Sequence, residues 1–352
     1  MNAHTRQNSD RRPRGFTLIE LLVVISIIAL LISVLLPSMV GARRTGQRVA
    51  CMGNMREMAN GAAQYGNDNE DWIIGAPGGS GAYLRGATTA FGPAVQRWDF
   101  MGPLSTAWGM GLTANDGAPA DWAKRFDDLR GQKVFLCPAN KFLAFRYSGP
   151  MQAGAGWMVS YNTCRYQLWI KANSAAEADQ PGDAVGLSWY DDYFQEHLPA
   201  GWRPSTTRIG VPANKAFIAD GARYSTVSLA PDFELTVEPV WGGAFSDTGV
   251  YSTFSKSWDR SRAPGNGDAG SVDARMYAFR HSTAEPSVGA PANAFKLNVA
   301  YYDGHVDSLG DLEASNPRIW LPAGTILTNA GTAAWPDAVQ RFGLQGDVKI
   351  GG

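Results

Sequence analysis

From Phe16 to Leu36 the chain carries a single ionisable residue, Glu20, in an otherwise apolar run broken only by Thr17, Ser26 and Ser33. The run is long enough to cross a hydrocarbon core, which takes about 20 residues of helix. An ionised carboxylate costs roughly 2.5–3.5 kcal/mol at the centre of a membrane helix, so Glu20 calls for a partner or a function. Beyond Pro37 the pattern changes. Met52, Met55, Ala59, Ala62 and Ala63 recur at the three-and-four spacing of one helix face, while Arg48, Arg56, Glu57 and Asn60 fall elsewhere. Gly66-Asn67 reads as a helix stop. The pattern predicts one helix from Phe16 to Tyr65, roughly 75 Å long at 1.5 Å per residue, membrane-spanning over 16–36 and amphipathic over 37–66.

After Asp71 the signals are short strands and turns, among them Lys133–Pro138 and Ser160-Tyr161-Asn162. Ala172–Asp183 reads as a polar helix or loop, and Ser255–Asp273 as a loop rich in Gly, Ser and charge. Two apolar runs, Lys215–Gly221 and Leu297–Gly304, end in Asp-Gly. Asp-Gly suits a type I′ hairpin, which needs positive φ at both central positions, so both runs read as hairpins of one antiparallel sheet. Forty glycines and twenty prolines in 352 residues favour a loop-rich β architecture over a helical bundle. The expected fold is α+β: a long N-terminal helix packed on a loop-rich, antiparallel-sheet domain over 67–352.

A net charge of -1 gives no electrostatic ground for a nucleic-acid partner. Catalysis finds no support either. The chain has no Gly-x-Ser-x-Gly elbow, no His-Glu-x-x-His and no Gly-rich phosphate loop. The adjacent pairs Asp127-Asp128 and Asp191-Asp192 point to different sides and read as solvated. No catalytic residue is therefore assigned, and the chain is not read as an enzyme. Twelve scattered tryptophans leave open a membrane-anchored module that binds carbohydrate or a surface through exposed rings, against the usual packing role of Trp. His305 and Asp307 share a strand face that Asp303 and His281 could join as metal ligands. A hairpin turn with exposed polar residues accounts for them equally, and no metal site is assigned.

Four familiar kinds of targeting or anchoring segment suit the N-terminus poorly. A secretory signal has a shorter apolar region followed by a small-residue cleavage site. A twin-arginine reading of Arg11-Arg12 expects a milder apolar region. A lipoprotein anchor needs a cysteine at the end of the run, whereas the first is Cys51. A plain anchor leaves Glu20 without a reason. Arg6, Arg11, Arg12 and Arg14 argue for a cytoplasmic N-terminus, although Arg43, Arg44 and Arg48 follow the run.

Arg14-Gly15-Phe16-Thr17-Leu18-Ile19-Glu20 with its apolar sequel resembles the cleavage and methylation signal of type IV prepilins and type II secretion pseudopilins. The resemblance implies a 1–15 leader cut after Gly15 by a prepilin peptidase, which then methylates the new amino group of Phe16. It also implies a kinking proline at Pro37 and other pilin or pseudopilin subunits as partners, with the protein held in the bacterial inner membrane and its C-terminal domain outside the cytoplasm. In such an assembly Glu20 would pair with the Phe16 ammonium of a neighbour and set axial register, because a mis-set neighbour leaves both charges unpaired. The domain is large for a major subunit, which leans towards a minor or specialised one.

Phe279-Arg280-His281, then Asn298 to Asp303-Gly304-His305-Val306, resembles the C-terminal His…Asp-Gly signature of a large bacterial family of prepilin-like proteins with a pseudopilin G-like domain. That family tends to carry a cysteine early after the helix and a later Cys-Pro, as Cys51 and Cys137-Pro138 do here. Its histidine commonly precedes Asp-Gly by nine residues. Here twenty-one separate His281 from Asp303, so the resemblance implies an insertion over Thr283–Phe295. No cofactor is expected, although G-type pseudopilins, which the chain resembles, hold calcium in a C-terminal loop; no EF-hand spacing is present. In an oxidising compartment three cysteines allow one disulfide. Cys51 with Cys137 would staple the helix to the sheet, and Cys137 with Cys164 is the local competitor.

Overall fold

The structure is a computed structural model of the chain. It describes residues 16–75, 100–112, 124, 127–140, 143–146, 156–157, 159–168, 196–221, 232–233, 246–247, 249–252, 277–282, 291–329 and 334–351. The leader through Gly15, the segments Ala172–Asp183 and Ser255–Asp273, and Asp191-Asp192 lie outside them.

Helix α1 runs over Leu18–Asp68 with Pro37 inside it. The chain divides into two compact units, 1–46 and 47–352. In the first, the large apolar side chains from Phe16 to Val40 are between 44% and 80% exposed, so no side of the helix is covered. Its hydroxyls are satisfied within the helix. Ser26, Ser33 and Ser38 donate to the carbonyls of Leu22, Leu30 and Leu35 at 2.7–2.8 Å. By length and composition this is a helix able to cross a membrane.

In the second unit the α1 residues Cys51, Met55, Met58, Ala59, Ala62 and Gly66 are buried. The expected stripe is rotated slightly: Met52 is half-buried and Ala63 exposed, whereas Cys51 and Met58 lie inside. Helix α2, Met101–Ala107, packs against α1 where Gly61 leaves room. A Cβ on Gly61 would come within 2.7 Å of the Trp108 ring and 2.8 Å of Leu104.

Among the described residues eleven short strands follow in chain order: β1 Leu143–Arg146, β2 Gly156–Trp157, β3 Tyr161–Cys164, β4 Glu196–His197, β5 Ala216–Asp220, β6 Asp232–Phe233, β7 Ser246–Asp247, β8 Lys296–Tyr301, β9 Val306–Gly310, β10 Ile326–Leu327 and β11 Val348–Lys349. The main sheet has the order β7-β3-β5-β8-β9, antiparallel except at the β3–β7 edge. Two small sheets, β2-β1-β6 and β11-β10-β4, complete the set. Lys133–Phe135, within a segment read as short strands and turns, forms a 3-10 turn whose Phe135 carbonyl accepts from Ser160 N at 2.9 Å.

The central strands are buried on both faces, which explains why they read as continuous apolar runs. On one side Phe217, Ile218, Ala300 and Val306 join the α1 and α2 side chains. On the other, Leu297, Val299 and Tyr301 face a second core built around Trp320, Tyr277 and Tyr251. Phe217 and Ile218 go to the same core because β5 shifts register against β8 between Ala216 and Ile218, and such an irregularity breaks the period-two alternation. The buried Lys215 ammonium donates to the carbonyls of Arg318, Leu321 and Gly351 at 2.8–3.0 Å, tying the C-terminal stretch to this core.

The two Asp-Gly sites part company. β8 and β9 do form a hairpin around Asp303-Gly304, but Asp303 keeps negative φ and Gly304 alone is left-handed, at φ 91°. Gly304 N donates to Tyr301 O and Tyr301 N to His305 O, both at 3.0 Å. This is a type I turn followed by a left-handed glycine, not the type I′ turn expected from Asp-Gly. A Cβ on Gly304 would meet Asn60 of α1 at 2.9 Å, so the turn rests against the helix. Asp220-Gly221 is no such turn: Asp220 ends β5 fully buried, and Gly221 N donates to Ser160 O at 2.8 Å.

Candidate functional site

At the start of α1, Thr17 and Glu20 cap the helix reciprocally. Glu20 Oε2 accepts from Thr17 N at 2.9 Å and from Thr17 Oγ1 at 2.8 Å, while Glu20 N donates to Thr17 Oγ1 at 3.2 Å. The Thr-x-x-Glu spacing is that of a capping box, a local signal that the reading of Glu20 as a lone membrane charge passed over. Glu20 is therefore held at the helix entrance, next to Phe16, rather than left without a partner. Phe16 itself is 72% exposed.

A second cluster lies wholly within the 47–352 unit. Cys51 comes from α1, Cys137 from the loop after the 3-10 turn, Asp220 from the end of β5 and His281 from the segment before β8. One donor atom from each of the four lies within 4.8 Å of every other. Cys51 Sγ donates to Asp220 Oδ1 at 3.1 Å and lies 3.5 Å from the Tyr161 hydroxyl. His281 Nε2 is 3.3 Å from Asp220 Oδ2 and 3.6 Å from Cys137 Sγ. Asp220 is further held by Asn298 N, which donates to Oδ2 at 2.7 Å, and by Arg280 Nη1 at 3.9 Å from Oδ1. Arg280 is fixed in turn by the carbonyls of Ser160 and Gly221. On the neighbouring strand the buried side-chain amide of Asn298 has no hydrogen-bond partner among the described residues.

These contacts set the charges. Burial alone would raise the Asp220 carboxyl, but His281 and Arg280 beside it win, holding it below the usual range. Burial would lower the His281 ring, yet the Asp220 carboxylate raises it to about 10. The Cys51 thiol and the His281 ring beside it pull the Cys137 thiol down, whereas burial pushes Cys51 well up. None of the three cysteines is joined in a disulfide in the structure, and Cys164 belongs to the opposite core. The first of the two pairings expected from sequence thus comes together as adjacent thiols.

The C-terminal signature divides between two places. His281 joins the thiol cluster, while Asp303 bonds to the exposed ring of His305, which stacks on Tyr301 at 4.1 Å. Sequence reasoning missed Asp220 as a site residue, because its Asp-Gly context suggested a turn. Arg280, which precedes His281 in that signature, was the one local hint of a nearby carboxylate.

A further buried acid sits in the opposite core. Glu196 accepts from the Tyr166 hydroxyl at 2.8 Å and the Tyr251 hydroxyl at 2.7 Å. Burial raises its carboxyl to about 7 against the lowering effect of the two tyrosines and Arg165.

The family model of the prokaryotic N-terminal methylation motif matches residues 10–36, spanning Gly15, Phe16 and Glu20. Over these residues the chain is type IV prepilin-like. The type IV wide pilus major component PilA4 of Thermus thermophilus is 37% identical over 62 residues, or 18% of this chain and 47% of that protein. The chain thus spans just under half the length of this curated relative. No solved structure matches it. Its α+β fold, with a long apolar N-terminal helix and sheets in a globular unit, is that expected of a pilin-like protein.

Proposed function

We propose that this chain is a pilin-like subunit, cleaved between Gly15 and Phe16 and methylated at Phe16 by a prepilin peptidase. The mature protein then assembles with other pilin or pseudopilin subunits into a type IV pilus-like or type II secretion filament. Before assembly it is held in the bacterial inner membrane by residues 16–36, with Pro37 as the kinking residue and the C-terminal domain outside the cytoplasm. The observation that carries this reading is the apolar stretch from Phe16 to Val40, helical from Leu18 and exposed on all sides, with one carboxylate fixed at its entrance. Lipid alone would satisfy the apolar surface, but not the position of Glu20. A bundle of like helices satisfies both, since each Glu20 meets the Phe16 ammonium of a neighbour. The methylation motif over residues 10–36 and the similarity to a wide-pilus component support the reading.

The rival, a membrane-anchored carbohydrate- or surface-binding module, needs several exposed tryptophans. Among the described residues Trp202 and Trp320 are buried, while Trp72, Trp108 and Trp335 are half-buried. The deciding experiment is the intact mass and N-terminal sequence of the protein from cells with an active prepilin peptidase. A methylated Phe16 start is expected, and Gly15→Glu should leave the longer form in the membrane. Wild-type protein that still begins at Met1 would refute the proposal.

A further inference from the structure

We propose that Cys51, Cys137, Asp220 and His281 form a zinc site. The donor set is one zinc favours: two cysteine sulfurs, an imidazole nitrogen and a carboxylate oxygen in a four-coordinate shell. The spacing agrees with the chemistry. Bonds of about 2.3 Å to sulfur and about 2.0–2.2 Å to nitrogen and oxygen, set tetrahedrally, separate a sulfur from a nitrogen donor by about 3.6 Å and a nitrogen from an oxygen donor by about 3.4 Å. Cys137 Sγ and His281 Nε2 are 3.6 Å apart, and His281 Nε2 and Asp220 Oδ2 are 3.3 Å apart. All four donor atoms lie within 4.8 Å of one another.

The surroundings are those of a ligand shell with outer supports, which orient the donors of a metal site. Asn298 N and Arg280 hold the Asp220 carboxylate, and the Tyr161 hydroxyl lies beside Cys51 Sγ. Charge also balances. Two thiolates and a carboxylate are three negative charges in a buried place, and a divalent cation together with Arg280 neutralises them. On binding, the two thiols and the His281 ring release their protons to solvent, and no electron moves. A Cys51–Cys137 disulfide would use the two sulfurs alone, whereas a metal ion engages the carboxylate and the imidazole beside them as well. The ion would join four segments that are far apart in sequence, and a ligand that binds only the folded chain stabilises it.

The test uses the full chain, purified in detergent with reductant, stripped with a chelator and given zinc chloride alone. We expect one zinc per chain to persist through gel filtration, with a thermal midpoint several degrees above that of the stripped protein. X-ray absorption of the wild-type zinc form should report two sulfur neighbours at about 2.3 Å and two lighter ones at about 2.0–2.2 Å. Cobalt(II) in place of zinc should give the intense visible bands of a tetrahedral thiolate site. Cys164→Ser should keep the metal, and Cys137→Ser or Asp220→Asn should weaken it by more than about tenfold, the loss seen even for outer partners. Absence of bound zinc, a shell without sulfur, or unchanged affinity in Cys137→Ser would each overturn the proposal. A Cys51–Cys137 disulfide in protein isolated without reductant would overturn it as well. The wild-type absorption measurement does not depend on how the variants fold.

Discussion

The buried carboxyl of Glu196 gives a stability signature that can be worked out in advance. Its pKa is about 7 in the folded protein against an ordinary value of 4.5. Between these two values the unfolded chain has lost the proton that the folded chain keeps. Stability therefore falls as pH rises, by about 1.4 kcal/mol per pH unit. The contribution is complete below about pH 4.5 and gone above about pH 7, a total of about 3 kcal/mol. Glu196→Gln keeps the shape and cannot ionise. The amide brings a second N–H donor that the protonated carboxyl lacks, and leaving it poorly paired costs about 1 kcal/mol. The variant should be slightly weaker than wild type at pH 4.5 and stronger by about 2 kcal/mol at pH 8. Urea unfolding of both proteins in detergent, at steps from pH 4.5 to 8.5, gives the difference at each pH, in which groups common to both cancel. A difference that changes by less than about 1 kcal/mol over that range would refute the linkage and the burial behind it.

Glu20→Gln and Glu20→Val separate capping from charge, because Gln retains an acceptor for Thr17 N whereas Val retains neither role. Both should mature normally and both should be lost from sheared filament fractions, since breaking a buried pair costs about 3–5 kcal/mol and losing a cap only about 1. Wild-type filament levels in Glu20→Gln would mean that the cap is all that matters. Gly249→Ala forces a Cβ within 2.9 Å of the Tyr251 ring and 3.0 Å of Trp320 at φ 107°, and should cost about 3 kcal/mol in urea unfolding. Gly53→Ala, in α1 with nothing within 4 Å, should instead add about 0.5–1 kcal/mol by the same assay.

What the sequence revealed follows the range over which each signal acts. The apolar run, the single carboxylate and the three-and-four spacing of Met55, Ala59 and Ala62 are properties of neighbouring residues, and α1 appears within a few residues of where they predict it. The hairpin at Asp303-Gly304 was legible for the same reason, though its turn type was not. The φ of Asp303 answers to β8–β9 pairing and to Asn60 behind the turn, and neither is encoded in the dipeptide. Asp220 carries the same dipeptide and does the opposite. Its carboxylate is drawn inward by Arg280 and His281, some sixty residues later in the chain. The thiol cluster was hidden because its members come from four separate segments with no common spacing. Cysteine chemistry alone brought Cys51 to Cys137 but had no means of adding the other two.

The cluster and the Asn60–Gly304 contact also set a timetable. Cys51 and Asn60 leave the ribosome roughly 230–240 residues before the last of their partners, His281 and Gly304. At a synthesis rate of about 5–20 residues per second, the inner face of residues 47–68 waits on the order of ten to fifty seconds for β8 and β9 to arrive. Over that interval the incompletely covered methionines and the Cys51 thiol of α1 are open to mispairing, to oxidation and to the like faces of sister chains. A cell making this protein in quantity has reason to shield that face until the last quarter of the chain has emerged.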